Sequence, residues 1–390
     1  MTQNTARFLV LVSMLLPTVK LGFEYEYSPL PFFFSALVLF FYYTRKNVMQ
    51  RCELWVFGNV ALSLGALLVY KSINAAKEVA FFCLVLLGVI YSKNRSRFGV
   101  VKDVALVLNI YFGVAILEIM IPGFSDFKSN ILTRSAFHDS VRGLSSLSTE
   151  PSFFVLAIFS CWLIVCSKLN YGVLRSVDLL KMVACIFFTK SSMLLIMLPA
   201  MLIFASKKQR WLMVFGIAGY LMLSGFIFGD SRNARFVQLL ENVISEDSDW
   251  SAKDESASSR MFYIFKDLVN ASENWFLPTM HGSYELRFGN SESLVRIGSY
   301  EYQTWYNADL SGSLLGRFIV ELGFLVPILV FGLWRKLNSI VGSKVRCVVL
   351  CVTIIAIAIQ MISLMYSPIA FAFGVFIGST YIIEEKNCAV

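Results

Sequence analysis

The chain has 390 residues, of which 57% are hydrophobic and 15% charged, and its formal net charge is +8. A soluble domain carries about a quarter charged residues, and a nucleic-acid surface gathers its basic residues into one run or face. Here the basic residues sit in short clusters between long apolar runs, which excludes both classes.

Crossing a bilayer as a helix takes about 20 apolar residues. Such runs fall at about 7–23, 29–44, 53–71, 76–92, 100–122, 151–168, 174–189, 191–206, 210–229, 312–334, 343–364 and 367–383. They are continuous rather than alternating, so helices are expected and not a barrel; lipid leaves no other way to pair the backbone. The expected fold is an all-α polytopic membrane protein of about 12 transmembrane helices, one integral domain over residues 1–390. The first run follows Arg7 without a small-residue cleavage site and reads as a retained helix, not a signal peptide. The 174–206 region admits two short helices turning at Lys190-Ser191-Ser192, or one kinked or re-entrant element.

Charge asymmetry sets the orientation. The even-numbered loops hold Arg45, Lys46, Arg51, Lys93, Arg95, Arg97, Lys168, Arg175, Lys207, Lys208, Arg210, Arg335, Lys336, Lys344 and Arg346. The opposite short turns hold only Lys20, Lys71, Lys77 and Lys190. Both termini are therefore expected in the cytoplasm, with the two long loops, 123–150 and 230–311, facing outward. In the larger loop, Phe236, Leu239, Leu240, Val243 and Ile244 share one helical face, and so do Met261, Ile264, Phe265 and Leu268. Two short amphipathic helices resting on the bundle or in the headgroup layer are expected there. The eight cysteines (Cys52, Cys83, Cys161, Cys166, Cys185, Cys347, Cys351, Cys388) avoid both long loops, so no disulfide framework is expected. Cys347 and Cys351, one turn apart with no histidine nearby, read as small core residues.

The two histidines, His138 and His281, match no metal-ligand spacing, and no phosphate-cradling or dinucleotide motif is present; neither metal nor cofactor is expected. Chemistry is left to charged residues at the outer membrane edge. Arg142-Gly143 leads to Glu150-Pro151-Ser152, where Pro151 can start a helix and Glu150 sits at its N-terminus. A plain cap with a snorkelling arginine accounts for this as well as a site does. Ser258-Ser259-Arg260 places a cation in the first turn of a helix, where an anion is favoured; a phosphate or an acidic neighbour such as Asp254 or Glu255 would satisfy it. Trp275-Phe276-Leu277-Pro278 and His281-Gly282 follow. Arg317 and Glu321 lie one helical turn apart inside the tenth run, where ionisable residues mark either a site or a self-satisfying ion pair. Asp178 and Lys181 form a similar pair near a cytoplasmic end, read as structural.

Three of these stretches together resemble the O-antigen polymerase (Wzy) family, within the O-antigen ligase-like membrane glycosyltransferases. They are Arg142-Gly143 to Glu150-Pro151-Ser152-Phe153-Phe154, the Ser258-Ser259-Arg260 helix with its Pro278–Gly282 turn, and the Leu314–Gly323 helix carrying Arg317 and Glu321. The first is the most specific. One departure stands out: ligase-type relatives often place a histidine about nine residues before the acidic position of the helix that follows the large loop, and Ser311-Gly312 occupies that place here. The resemblance implies a GT-C-type fold and polymerisation of undecaprenyl-pyrophosphate-linked oligosaccharides at the periplasmic face of a bacterial inner membrane. It also implies membrane lipids and a chain-length-determining co-polymerase as partners. Under it, Arg142, Arg260 and Arg317 would neutralise the pyrophosphate, and Glu150, or else His281 or Glu321, would take the acceptor proton. Trp275, Tyr300, Tyr302 and Trp305 would stack on sugars. The alternatives are an O-antigen ligase with lipid A-core as acceptor, and a transporter or flippase of lipid-linked sugars. The long outer loop and membrane-edge arginines argue against the latter. A non-catalytic scaffold leaves Arg317 unexplained.

Overall fold

The computed structural model describes residues 3–16, 28–44, 49, 51–70, 73–121, 123–124, 127, 144–148, 151–169, 175–189, 191, 193–228, 267–269, 271–272, 275–278, 295–297, 300–302, 314–341, 343–360 and 366–388. Among these residues the fold is helical apart from one short strand pair. The helices are α1 (Gln3–Leu15), α2 (Leu30–Tyr43), α3 (Arg51–Tyr70), α4 (Ile73–Asn94), α5 (Arg97–Met120), α6 (Pro151–Lys168), α7 (Ser176–Phe188), α8 (Leu194–Phe204) and α9 (Lys207–Phe228). After the strands come α10 (Leu314–Leu322), α11 (Leu325–Val341), α12 (Lys344–Gln360) and α13 (Ser367–Cys388).

Over its described residues, each predicted apolar run falls mainly on helix. By length and composition three helical segments, Cys52–Val69, Ala75–Asn94 and Arg97–Met120, are fit to cross a membrane, and a fourth if the bent pair α10–α11 is one crossing. One run differs in form from the expectation, and one open reading is decided. The 174–206 region is two helices, α7 and α8, matching the two runs 174–189 and 191–206. They are joined by a turn in which Thr189 Oγ1 bonds the Ile186 carbonyl at 2.6 Å and accepts from the Ser191 amide at 3.2 Å. At 1.5 Å per residue, α7 and α8 reach about 20 and about 16 Å, short of a hydrocarbon core of about 30 Å. The 312–334 run is no straight span: it breaks at Gly323, and α10 and α11 meet at 117°.

The chain divides into two compact units. The first comprises Met1–Leu54, Cys83–Ser245 and Tyr366–Val390. At its centre is α6, apolar on every side and buried from Phe154 to Ser167, as expected of a helix with no solvent face. It packs against α5, α7 and α13; α1 lies on α5 and α13, α2 on α1, and α9 on α7. α13 approaches the second half of α4 so closely that a Cβ on Gly88 would meet the Phe371 carbonyl, and one on Gly374 the Val85 carbonyl. Both positions need glycine because the backbones touch. Tyr111, Tyr366 and Trp162 are fully buried here; Tyr111 Oη donates to the Met14 carbonyl at 2.6 Å and Tyr366 Oη to the Phe153 carbonyl at 2.6 Å.

The second unit comprises Trp55–Phe82 and Glu246–Met365. α11 and α10 both pack on α12. Within the expected outer loop, β1 (Val295–Ile297) pairs antiparallel with β2 (Tyr300–Tyr302), in the register Val295 to Tyr302 and Ile297 to Tyr300. The amphipathic helix expected from Met261 to Leu268 shows helical geometry at Asp267–Val269; its earlier residues, and the helix expected after Ser231, lie outside the described residues.

Candidate functional site

In the second unit the site is built on the break between α10 and α11. Gly323, at φ 52°, ends α10 as a left-handed cap, its amide bonded to the Ile319 carbonyl at 2.9 Å. The next amide, of Phe324, is satisfied from the 230–311 loop: it donates to the Phe276 carbonyl at 2.8 Å. That carbonyl fills the space a Cβ on Gly323 would need. Trp275 and Phe276 are themselves left-handed, at φ 55° and 51°, in a turn closed by bonds from their amides to the Ser272 and Ala271 carbonyls, each at 2.9 Å. Left-handed geometry at a non-glycine residue costs about 1–2 kcal/mol, and these four hydrogen bonds hold it. Trp275 is left pointing outward, 86% exposed.

On the buried face of α10 stand Arg317 and Glu321. Arg317 Nε donates to Glu321 Oε1 at 3.0 Å, and Nη2 bonds Glu78 Oε1, a residue of α4. All three are buried, at 6%, 0% and 3% exposure for Arg317, Glu321 and Glu78. Removing such groups from water costs several kcal/mol each, which only close pairing returns. The guanidinium's third nitrogen, Nη1, makes no hydrogen bond among the described residues. A planar fork with two nitrogens fixed by carboxylates is locked in orientation, and the remaining one suits a planar or tetrahedral oxyanion.

In the first unit the middle of the Arg142–Glu150 stretch enters the bundle. The Leu144 amide donates to the Phe188 carbonyl at 2.8 Å, and the Ser146 amide donates to Glu118 Oε2 at 3.0 Å. Ser146 Oγ donates to the Tyr111 carbonyl at 2.7 Å, and the Ser148 amide to Ser145 at 2.9 Å. Ser146 is fully buried with φ 50°. Just beyond, Phe153 and Phe154 pack on Tyr366 and Tyr111, with ring centroids 5.1 and 5.6 Å apart.

Of the residues singled out from sequence, Arg317 and Glu321 are thus brought together. Trp275 stands in the turn docked on the break that ends their helix. Arg142, Glu150, Arg260, His281 and Trp305 lie outside the described residues. Two participants were missed, Glu78 and Glu118. Both are carboxylates near a span end, where an acidic residue reads as an ordinary interfacial one. The pairing expected between Asp178 and Lys181 is replaced. Asp178 takes both Arg175 bonds, at 2.6 and 3.1 Å, because Arg175 stands in extended geometry at the start of α7, within forked reach of it; Lys181 bonds Asn109. That contact holds the Arg175 guanidinium above its ordinary pKa.

The cysteines Cys52, Cys83, Cys161, Cys166, Cys185, Cys347 and Cys351 are buried, with no disulfide among them. Among the described residues no group of three or more His, Cys, Asp or Glu side chains could hold a metal ion. Comparison with protein-family models, curated proteins and solved structures finds no match to this chain.

Proposed function

We propose that this chain is an O-antigen polymerase: a GT-C-like glycosyltransferase that moves a growing glycan from undecaprenyl pyrophosphate to a new lipid-linked repeat unit. The observation that carries the reading is Arg317, buried on α10 and oriented by Glu321 and Glu78, its Nη1 making no hydrogen bond among the described residues. Burying such a group for packing alone is costly; orienting a cation where charge develops on a leaving group is a use that repays it.

In this mechanism the acceptor sugar hydroxyl attacks the anomeric carbon of the donor glycan. The new glycosidic C–O bond forms as the bond to the pyrophosphate oxygen breaks, and the electron pair leaves with undecaprenyl pyrophosphate. Arg317, Arg142 and Arg260 neutralise that leaving group, and Glu150 accepts the hydroxyl proton, with His281 as the other candidate. Glu321 lies fully buried against the guanidinium, which suits it to orienting Arg317. Trp275 and Trp305 offer sugar-stacking faces. In this reading the chain is a multi-pass protein of a bacterial inner membrane, with both termini cytoplasmic and the long loops periplasmic. A co-polymerase would set chain length.

The test is the lipopolysaccharide banding pattern after deletion of the gene in its host. Collapse of the ladder to core carrying one repeat unit is the expected result. Loss of the single-unit band as well would transfer the reading to a ligase or flippase, and an unchanged ladder would end it.

A further inference from the structure

We propose that the turn Trp275–Pro278 is a membrane anchor: its apolar side chains enter the lipid bilayer at the headgroup boundary, beside the exposed face of α11. Trp275, Phe276, Leu277 and Pro278 are four exposed apolar residues in a row, with Trp275 at 86% and Leu277 at 59%. Two consecutive left-handed positions are where a water-facing turn places glycine, asparagine or aspartate, which adopt that backbone at little steric cost. This turn puts tryptophan and phenylalanine there, at φ 55° and 51°. The bulky rings are kept against a backbone cost, so the turn has a use for the side chains themselves.

What covers those side chains follows from what adjoins the turn within the same unit. The Phe276 carbonyl accepts the Phe324 amide at 2.8 Å, so the turn stands at the start of α11. From there an exposed stripe runs along α11 at helical spacing: Phe324, Ile328 and Phe331, each more than half exposed. Together with α10 this helix is apolar enough to cross a membrane, and apolar side chains exposed on a crossing helix face lipid. The turn continues that face past the helix end. It reaches the layer where tryptophan is favoured, because the ring is apolar and its N–H still finds a partner. Neither the turn nor the stripe contains a charged residue. A sugar, the partner that the polymerase reading gives Trp275, accounts for one ring but not for Leu277 and Phe324 beside it. Left in water, the set would be a contiguous apolar patch of the kind that marks an interaction surface. The anchor sets the depth of the break at Gly323, and it holds whether or not the chain polymerises glycans.

The experiment places the full chain in vesicles of phosphatidylethanolamine and phosphatidylglycerol. Part of the lipid carries bromine, a contact quencher of tryptophan, either near the headgroup or near the chain ends. The emission of Trp275 is the difference between wild type and Trp275→Phe, since the other tryptophans are common to both. The expected result is loss of most of that difference with bromine near the headgroup and little loss with bromine near the chain ends. Full emission in both kinds of vesicle overturns the proposal, whether or not iodide in the water quenches it. Stronger quenching from the chain ends also overturns it, since the turn would then lie inside the hydrocarbon. A benzophenone amino acid introduced at Leu277, photolysed in native membranes and followed by peptide mass spectrometry, identifies what lies against the turn without relying on W275F. Phospholipid adducts are expected. Adducts to glycan, to another protein or to a second copy of this chain overturn the anchor, and so does the absence of any adduct. Neither measurement reads polymerisation, so failure of the anchor and failure of the polymerase reading are seen apart.

Discussion

The buried cluster on α10 makes a quantitative claim about Arg317. Substituting Arg317→Met keeps much of the side-chain volume and removes the cation between Glu78 and Glu321, which are 3% and 0% exposed. Removing one partner of a buried ion pair costs about 3–5 kcal/mol, because the other charge is left uncompensated. Here two carboxylates lose their shared partner, so the upper part of that range is expected, a large fraction of a typical stability of about 5–15 kcal/mol. Neutralising all three groups, as E78Q/R317M/E321Q, should restore most of the loss, since replacing a whole buried ionic cluster is often neutral. Denaturant unfolding of purified protein in a mild detergent reads both variants. Activity separates packing from chemistry: the triple variant is expected to fold and yet to give no ladder. Arg317→Lys should also lose polymerisation, because a point charge cannot hold two carboxylates in a fork and offer a third donor. A wild-type unfolding midpoint in R317M, or a triple variant as unstable as R317M, would refute the electrostatic account.

Four further outcomes are expected. Gly323→Ala should lower the thermal midpoint and loosen the turn at Trp275, seen as a change in tryptophan emission, because the left-handed φ of 52° and the Phe276 carbonyl both oppose a Cβ; wild-type behaviour would show that the break tolerates a side chain. Ser146→Ala should be less stable than Ser146→Gly, since both lose the bond to Tyr111 and only Gly relieves the backbone; the reverse order of midpoints would remove strain from the argument. Asp103→Asn should destabilise the α4–α5 junction by about 1.5–3 kcal/mol, as Arg95 loses both charge-assisted bonds of 2.8 Å, and an unchanged unfolding midpoint would contradict it. Glu150→Gln and Arg260→Lys should accumulate normally and fail to polymerise; a normal ladder from either removes that residue from the proposed chemistry.

What was legible in the sequence follows the range over which each signal acts. Continuous apolar runs are local, and over the described residues each of them falls mainly on helix. The break at Gly323 leaves hydropathy almost untouched, since both arms are apolar enough to pass as one run. It shows instead as a change of pattern, from the amphipathic Leu314–Leu322 with its two charges to the uniformly apolar stretch after Gly323. The strand pair also had a local signal, alternating Val295, Ile297, Tyr300 and Tyr302 around Gly298-Ser299, two residues suited to a tight hairpin.

Partners distant in sequence leave no such trace. Arg317 and Glu321 could be paired in advance because one helical turn separates them, whereas Glu78 lies 239 positions away from Arg317. A weaker rule was available all the same. A carboxylate inside an apolar run needs a partner, and among the described residues five buried ones have a cation: Glu53 with Lys93, Asp103 with Arg95, Asp178 with Arg175, and both Glu78 and Glu321 with Arg317. In the first three the cation belongs to a basic loop that the expected topology already places at the cytoplasmic edge, so one set of residues orients the chain and fastens its helices. Arg317 belongs to no such loop. Its cation stands within a helix, on the side of the sequence that the positive-inside pattern leaves nearly free of basic residues. It joins α10 to α4 through Glu78, but the expected topology calls for no arginine there, and that is why the proposed chemistry rests on it.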